Sequence, residues 1–417
     1  MLNILILVES IDTNATSGAK ARYALIKNLQ ALGHQITVLH ASEKSIHIDD
    51  TQCYALKEPK WSLFYVLSRV QRIINRTFKY NLGERVEKIY GQSFTFFNDS
   101  LRFRKGLKHY NPKDFDHIWS LSQGNNYRAH HAVLKSKKWH NKWYAYVHDP
   151  YPQQLYPRPY NFVPSGYKQK RRFFRDMTEK AHRVVFPSLL LKEWMLSYYS
   201  PIKTKSIIIP HQIDNFNSQI DLPLYFNKKQ FNILHAGNLL DLRDPSYLIT
   251  AYLNFLESIP EAKKDSKLIF IGKTDSFSKV IKENIAKTSN IFATYTSVNY
   301  EEARQMQNKA DINVILEARS EISPFLPGKF PHCVSANKPI LLIGPYYSEA
   351  KRLLGETYPW QHEIDDVIGI TNSITKLYKT WKFNEPQLLN KVELNNYLSS
   401  TYLNSQLKGN ESKAVRL

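Results

Sequence analysis

Cysteine is scarce in this chain of 417 residues. Cys53 and Cys333 lie far apart and match no spacing typical of metal ligands or of a redox pair. We therefore expect reduced thiols in an intracellular protein. Long apolar runs are also missing, since none reaches the roughly 18 residues that a membrane-spanning helix needs. The first run, Ile4–Val8, has no basic leader and stops at Glu9, so we expect neither a secretory signal nor a transmembrane segment.

Acidic residues are scarce in the first half only. The net charge is +20, and residues 1–209 hold 33 Lys and Arg against 15 Asp and Glu, whereas residues 210–417 hold 24 against 22. This split of +18 and +2 indicates an anionic partner for the first half: nucleic acid, an anionic membrane surface or a phosphorylated lipid. The alternative is a basic surface that serves only solubility. The 42% of hydrophobic residues excludes a disordered chain.

Apolar strands alternate with helical patterns along both halves. "LNILILVES", "SGAKARYALIKNLQALGH" and "QITVLHA" read as strand, helix and strand, and the same order restarts at "FNILHAGNL". Such units form parallel sheets with right-handed crossovers. The sequence therefore predicts an α/β protein with two doubly wound Rossmann-like domains facing a central cleft. We place them at residues 1–210 and 231–385, with a linker at 211–230 and a C-terminal helical tail at 386–417.

Three stretches resemble a known enzyme family. "SGAKARYALIKNLQALGHQITVL" is similar to the opening of GT-B-fold glycosyltransferases, especially the retaining family 4, "HAGNLLDLRDPSYLITAY" to the start of their donor domain, and "SPFLPGKFPHCVSANKPILLIG" to their donor-binding helix. The resemblance implies transfer of a sugar from a nucleotide diphosphate sugar to an acceptor. It also implies that the donor binds in the second half, without a metal or another cofactor.

The first candidate donor loop follows the strand that ends at Ala236. Gly237 has no Cβ, so the backbone N–H groups after it are able to approach a phosphate closely. Family members place an arginine next and a lysine five positions later, where this chain has Asn238 and Arg243. Arg243 is suited to bidentate contact with a diphosphate. The alternative is a surface ion pair of Arg243 with Asp241 or Asp244.

The second candidate donor loop precedes a predicted helix. Gly328 and Lys329 stand where that helix begins, so the ammonium would meet a diphosphate there and stabilise the charge of the leaving group; the alternative is a lysine that merely flanks a proline-rich turn. The family has a spaced pair of glutamates, and the resemblance assigns the second of them to the ribose hydroxyls; the first position is Pro324 here and the second is His332. A histidine is still able to hydrogen-bond a hydroxyl. Two nearby glutamates are out of register: Glu317 and Glu321.

Candidate residues of the first half also follow strands. His148 and Asp149 come directly after the strand in "WYAYVHD", and the resemblance places a histidine here near the transferred sugar. Asp149 has an alternative role, to start the proline-containing turn that follows. Gly18 resembles the glycine loop between the first strand and helix of the family, and Glu9 is a weaker candidate.

Asp114 and Asp116 form an Asp-x-Asp pattern of the kind that a metal-dependent GT-A glycosyltransferase uses. Here the pattern precedes a strand, the wrong end for a ligand of a parallel sheet. We interpret it as a turn and predict no metal site.

The segment "SLFYVLSRVQRIINRTFK" shows strong helical segregation. Its apolar face comprises Leu63, Val66, Leu67, Val70, Ile73 and Ile74, and its basic face comprises Arg69, Arg72, Arg76 and Lys79. Basic, aromatic-rich segments follow in "RFRKGLKHY" and "YKQKRRFFRDM". One interpretation buries the apolar face in the core and leaves the arginines in water. The other rests the basic faces and nearby aromatics on an anionic bilayer.

These observations favour a metal-independent glycosyltransferase that acts with retention. The basic first half suits a lipid-linked acceptor in bacterial surface polysaccharide synthesis, reached by a cytoplasmic protein that is peripheral on the inner face of the cell membrane. Two alternatives stay open, a nucleotide-sugar epimerase of the same fold and a basic nucleic-acid-binding protein. The second lacks a recognised binding motif, so we expect no nucleic acid partner.

Overall fold

The structure is a computed structural model, and it describes residues 1–13, 17–42, 44–78, 81–214, 220–240, 242–385 and 387–409. The chain divides into two compact units. Among the described residues, unit 1 joins Met1–Pro210 to residues 403–409, and unit 2 runs from His211 to Tyr402. Within the described part of the chain, no helix is long and apolar enough to cross a membrane.

Unit 1 contains a sheet of seven strands. The strands are β1 (Asn3–Val8), β2 (Gln35–His40), β3 (Gln52–Ala55), β4 (His117–Leu121), β5 (Trp143–Tyr146), β6 (Arg183–Phe186) and β7 (Ser206–Ile208). The helices are α1 (Ser17–Ala31), α2 (Leu63–Phe78), α3 (Leu82–Tyr90), α4 (Phe94–Leu107), α5 (Arg128–Leu134), α6 (Tyr167–Lys180), α7 (Leu189–Leu196) and α8 (Ile202–Lys205).

The sheet of unit 1 is parallel throughout, in the order β3-β2-β1-β4-β5-β6-β7. The strand order reverses between β1 and β4, which is the point where doubly wound sheets bind ligands. Both faces are covered: Leu5 and Leu7 pack into one core cluster, and Ile4 and Ile6 pack into another. This explains why β1 reads as a continuous apolar run rather than an alternating one.

Unit 2 repeats the pattern with a sheet of six strands and a two-stranded ribbon. The strands are β8 (Phe231–Ala236), β9 (Ser266–Ile271), β10 (Ile291–Ala293), β11 (Ile312–Leu316), β12 (Ile322–Ser323), β13 (Ile340–Ile343), β14 (Tyr347–Ser348) and β15 (Gln361–His362). The helices are α9 (Ser246–Ser258), α10 (Ala262–Asp265), α11 (Ser278–Ile285), α12 (Tyr300–Lys309), α13 (Phe330–Ser335), α14 (Glu349–Leu354), α15 (Val367–Lys382), α16 (Val392–Tyr397) and α17 (Ser400–Leu407).

The larger sheet of unit 2 is also parallel, in the order β10-β9-β8-β11-β13-β15. Its order reverses between β8 and β11, so unit 2 has a switch point of its own. The helix α17 returns to unit 1, where Leu403 is fully buried in the core cluster beside β1. The predicted fold class, an α/β protein with two doubly wound Rossmann-like sheets, is confirmed.

One expectation about α2 is wrong: its apolar face is not in the core. Leu63, Val66, Val70 and Ile73 are 70%, 53%, 44% and 63% exposed; we call these four residues the apolar stripe. Leu67 and Ile74 are half-buried, Arg69, Arg72 and Arg76 are exposed, and Lys79 lies outside the described residues.

The inner face of α2 is partly polar, which explains this orientation. Ser68 is buried, and the Asn75 side chain accepts a hydrogen bond from the Leu82 N–H at 3.1 Å. Phe64 pairs with Phe97 of α4 at 5.4 Å between ring centroids. The helix therefore turns its hydrogen-bonding residues and one aromatic ring to the protein and leaves the apolar stripe in solvent.

Candidate functional site

Two loops of unit 2 meet at the switch point between β8 and β11. Gly237 follows β8 with a φ of +148°, a conformation that favours glycine. A Cβ on Gly237 would lie 2.9 Å from the Lys329 Nζ. On its other side, a Cβ on Gly272 would lie 2.7 Å from the Gly237 carbonyl oxygen. Side-chain-free backbone thus lets the loops after β8 and β9 lie against each other and against Lys329.

Lys329 immediately precedes the six-residue helix α13, as the sequence predicts for the start of a helix. Its Nζ lies 2.9 Å from His235 Nε2. An ammonium only donates, so Nε2 is the acceptor and the imidazole carries its proton on Nδ1. Burial and the nearby Arg243 guanidinium lower the pKa of Lys329 to about 7. Burial, Lys329 and Arg243 together lower the pKa of His235 well below its ordinary value.

Arg243 is the second cation of this group. Its charge acts on Lys329, His235 and Glu317. Of the acidic residues that the sequence offers as its partners, Asp244 accepts hydrogen bonds from the N–H and the hydroxyl of Ser246 at 2.9 and 2.6 Å, and Asp241 lies outside the described residues. Two enclosed cations that repel each other are stabilised by an anion that contacts both.

Glu317 directly follows β11 and interacts with the charge of Arg243. It is 4% exposed, and its Oε1 accepts a hydrogen bond from the Ser323 hydroxyl at 2.8 Å. Burial raises its pKa to about 7, opposed by hydrogen bonds from Ser348 and Ser323 and by the charges of Lys351 and Arg243. Sequence reasoning set this residue aside as out of register. Its position directly after a buried strand was the signal that could have found it.

A cavity of about 970 Å³ adjoins Glu317 in unit 2. Ser348 and Lys351 line this cavity and also interact with Glu317, and Lys351 Nζ donates to the Gly344 carbonyl oxygen at 3.1 Å. On another wall, His362 contacts Asp366 through Nδ1 at 2.9 Å and Ser373 through Nε2 at 2.7 Å. The cavity therefore offers polar and charged groups, and Ser348 and Lys351 connect it to Glu317.

The other predicted donor residues lie nearby but make contacts of their own. Gly328 is in the turn that leads into Lys329. Asn238 Oδ1 accepts a hydrogen bond from the Lys273 N–H at 3.0 Å, which joins the loops after β8 and β9. His332 is only 5% exposed, and its Nε2 lies 3.4 Å from the Tyr300 hydroxyl. Thus Gly237, Arg243 and Lys329 come together, whereas His332 faces α12.

In unit 1, His148 and Asp149 follow β5. The Ser122 hydroxyl oxygen accepts the His148 N–H at 3.0 Å and lies 3.0 Å from His148 Nδ1. The two contacts with Ser122 hold the imidazole at the end of β5. Asp149 interacts with the Tyr156 hydroxyl and with the charge of Arg22. His148 and Asp149 thus lie at the carboxyl end of β5, where Ser122 joins His148 to the end of β4.

Arg22 is a residue that sequence reasoning missed. It is 1% exposed and donates from Nε to the Ser10 carbonyl oxygen at 3.0 Å, from Nη1 to that of Ser122 at 3.3 Å and from Nη2 to Gln123 Oε1 at 3.0 Å. Burial lowers its pKa to about 10. A Cβ on Gly18 would lie 3.1 Å from Arg22 Nη1, so this glycine leaves room for the guanidinium.

A buried ion group stands at the end of β1. Glu9 is 8% exposed, and its Oε2 lies 2.8 Å from Arg128 Nη1, while Arg128 Nε lies 3.2 Å from Asp99 Oδ2. Burial raises the pKa of Glu9, and the Arg128 and Arg22 charges oppose that effect. Arg128 was not predicted, because its partners Glu9 and Asp99 are distant in sequence.

The Asp-x-Asp pair lies at the opposite end of the sheet. Asp116 Oδ2 accepts the Asn3 N–H at 2.7 Å, and Asp114 ends a short 3₁₀ turn before β4. Both therefore shape a turn at the amino ends of β1 and β4. In the described ranges, no group of three or more His, Cys, Asp or Glu residues has an arrangement that would hold a metal ion.

Comparison with known proteins gives matches in structure only. No protein-family model matches the chain, and no curated protein matches it. Similar solved structures include a glycosyltransferase from Rickettsia africae ESF-5, with 13% identity and a TM-score of 0.61 over 98% of this chain and 97% of that one. Anabaena HepE in complex with UDP-glucose has 12% identity and a TM-score of 0.62 over 98% and 99%.

A third similar structure is an α,α-trehalose-phosphate synthase (UDP-forming) from Burkholderia xenovorans in complex with glucose-6-phosphate. It has 10% identity and a TM-score of 0.61 over 98% of this chain and 99% of that one. At such low identity these likenesses establish the fold alone: the chain has the GT-B fold of these glycosyltransferases across nearly its whole length.

Proposed function

We propose that this protein is a glycosyltransferase that moves a sugar from a nucleotide diphosphate sugar, bound in unit 2, to an acceptor bound in unit 1. The observation that carries the proposal is the enclosed pair of cations, Lys329 and Arg243, beside Gly237 at the switch point of unit 2. A diphosphate relieves the repulsion between them, and its charge grows as the sugar leaves, so the same pair stabilises the transition state.

The remaining residues take supporting roles in this proposal. Gly237, Asn238 and Gly328 shape the loops around the diphosphate, and His332 is the candidate for a nucleotide hydroxyl. His148 binds a sugar hydroxyl or the departing phosphate through its imidazole, and Asp149 orients the neighbouring groups. Retention and membership of family 4 rest on the resemblance of the sequence motifs, and metal-independence rests on these cationic groups.

The test of the donor is thermal unfolding with a panel of nucleotide diphosphate sugars, UDP-glucose among them. A ligand at 100 times its dissociation constant stabilises the folded state by about 2.7 kcal/mol. Stabilisation by a member of the panel supports the proposal, and none with any member contradicts it. Release of free nucleotide only when acceptor is present separates transfer from epimerisation, and steeply salt-dependent binding to DNA or RNA would favour the nucleic-acid alternative.

For the acceptor we propose a lipid-linked saccharide of bacterial surface polysaccharide synthesis, reached at the inner face of the cell membrane. The charge of +18 in residues 1–209 supports this, because each basic residue near an anionic bilayer contributes about 1 kcal/mol. A soluble phosphorylated sugar is a second candidate, because the similar trehalose-phosphate synthase from Burkholderia xenovorans was solved in complex with glucose-6-phosphate. Transfer assays with membrane lipid extract and with glucose 6-phosphate distinguish the two.

A further inference from the structure

The outer surface of α2 combines two features that rarely occur together on a water-soluble surface. The apolar stripe repeats at spacings of three and four residues, so its four side chains form one continuous row along the helix. Each of them is at least 44% exposed. Single exposed apolar residues are normal, but a contiguous row marks an interaction site.

Aromatic residues stand at both ends of this row. Trp61, directly before α2, is 100% exposed, and Phe78 at the last position of α2 is 72% exposed. Indole rings favour the boundary between water and hydrocarbon, where they keep contact with both. The apolar surface therefore spans the whole length of α2.

Positive charge flanks the apolar stripe. Arg69, Arg72 and Arg76 recur along α2 at the same spacing, and all three are exposed. The Arg69 guanidinium lies over the Tyr65 ring at 4.7 Å, which keeps it beside the helix. A basic row next to an apolar row is the pattern of a helix that lies in the interface of an anionic bilayer.

We propose that α2 is a membrane-insertion element: its apolar stripe enters the acyl boundary of an anionic bilayer while its arginine row contacts the lipid phosphates. The inference rests on the membrane part of the proposed function. It adds insertion of apolar side chains to the electrostatic attraction. Sequence analysis assigned the lipid contact to the basic faces and nearby aromatics, whereas the exposed stripe adds a row of aliphatic side chains whose contribution salt does not screen.

Charge decides between a bilayer and a second copy of the chain. A two-fold dimer built on the apolar stripe would place two arginine rows in one interface, within an already basic unit. Like charges brought together in this way oppose association. An anionic surface instead complements the stripe and the arginine row together.

The experiment compares three variants of the full chain in co-sedimentation with vesicles of phosphatidylcholine and phosphatidylglycerol. The stripe variant carries Val66→Gln and Ile73→Gln, and the arginine variant carries Arg69→Gln, Arg72→Gln and Arg76→Gln. The matched control carries Ile368→Gln and Val392→Gln, which remove two apolar residues of unit 2 that are 76% and 70% exposed. Every changed position is exposed, so we expect all variants to fold, as thermal unfolding will check.

We expect the stripe variant to partition roughly 10- to 100-fold more weakly than wild type, because two apolar side chains no longer leave water. The control should partition like wild type. High salt should release the wild-type protein only in part, and it should release the stripe variant completely. Equal partitioning of stripe variant and wild type would overturn α2 insertion while leaving membrane attachment by basic faces intact.

Two further readouts complete the test. Brominated lipids should quench wild-type tryptophan fluorescence, and Trp61→Phe should remove most of that quenching; unchanged quenching would count against insertion. A wild-type dimer that the stripe variant dissociates would assign the surface to a second copy and overturn the inference. If wild type binds no vesicles, the membrane part of the proposed function falls as well, whereas UDP-glucose-dependent transfer to a soluble acceptor would leave the transferase part standing.

Discussion

At the scale of single residues, the proposed donor site of unit 2 depends on Lys329 and Arg243. Both act on His235 and on each other, and the pKa of Lys329 falls to about 7 because its ammonium is enclosed next to a second cation. A ligand with two adjacent negative charges would offset the repulsion between these two cations.

Removal of either cation should impair catalysis. We expect Lys329→Ala and Arg243→Ala each to lower the rate of sugar transfer roughly 100-fold or more, since the leaving diphosphate loses a charge partner. Steady-state kinetics with the donor identified by thermal unfolding provides the measurement. Lys287→Ala, at an exposed lysine of the same unit, is the control and should transfer at the wild-type rate. A variant of Lys329 or Arg243 with nearly normal turnover would remove that residue from the site.

The lowered pKa of Lys329 also predicts a pH dependence of donor binding. A pKa of about 7 means that Lys329 is charged below pH 7 and loses its proton above it. UDP-glucose is a suitable probe, because its diphosphate is esterified at both ends and does not titrate in this range. We expect its dissociation constant to be roughly tenfold larger at pH 8 than at pH 6. Lys329→Arg keeps the charge at both pH values, so a slope unchanged in that variant would contradict this origin.

At the scale of elements, glycines in the turns after β8 and β9 allow neighbouring groups to approach the backbone closely. Gly237 and Gly272 have φ angles of +148° and +125°. The missing Cβ of Gly272 leaves room for the Gly237 backbone, and that of Gly237 leaves room for Lys329 to reach His235, which is 94 residues away in sequence. The strand β8, the turn at Gly237 and the start of α13 together hold the Lys329 ammonium against backbone that carries no side chain.

Gly237→Ala should therefore weaken donor binding out of proportion to its effect on stability. The new methyl would meet the Lys329 Nζ at 2.9 Å and displace it, and alanine at this φ adds strain. Gly33→Ala is the matched control, because Gly33 ends α1 at a φ of +80° and a Cβ there meets nothing within 4 Å. Both changes should destabilise by about 1 kcal/mol or more, measured by denaturant unfolding. Only Gly237→Ala should weaken UDP-glucose binding, by at least about tenfold; equal binding by the two variants would contradict the role of this turn.

At the scale of the whole molecule, charge is distributed by unit. Residues 1–209 carry +18 and residues 210–417 carry +2. Some of the basic residues are structural: Arg102 donates from Nε to the Leu56 carbonyl oxygen at 2.6 Å, so it is not part of a free basic surface. The exposed remainder, on α2 and α6 among others, is available to an anionic partner.

The proposed roles of the charged residues in the two units also predict that transfer needs no divalent metal. In the proposed site, Lys329 and Arg243 would supply positive charge at the diphosphate, and Asp114 and Asp116 lie at the amino ends of β1 and β4. Transfer should retain its rate after chelation with EDTA. Loss of activity that magnesium or manganese restores would contradict this prediction, and addition of those ions without EDTA controls for direct effects on the substrate.

The sequence alone determined the features that depend on local pattern. Buried parallel strands read as short apolar runs, helices show a period near 3.6, and Gly33 ends α1 as expected, because these patterns arise from neighbours along the chain. The order of strands, helices and motifs therefore sufficed for the α/β class and for the two sheets. The same order placed Gly237, Arg243 and Lys329 on loops at the carboxyl ends of strands.

Only the tertiary structure decided which groups meet and which face of a helix is covered. Arg22 contacts Ser122 and Gln123 across roughly 100 residues of chain, and the Lys329–His235 contact is of the same kind. The helical spacing of apolar residues predicted an apolar face on α2, but it did not predict which surface would cover that face. The structure leaves that face in solvent, because the surface beneath α2 offers hydrogen-bonding partners to Asn75 and an aromatic partner to Phe64. Segregation along a helix is a local property, whereas burial depends on the surface that the rest of the chain presents.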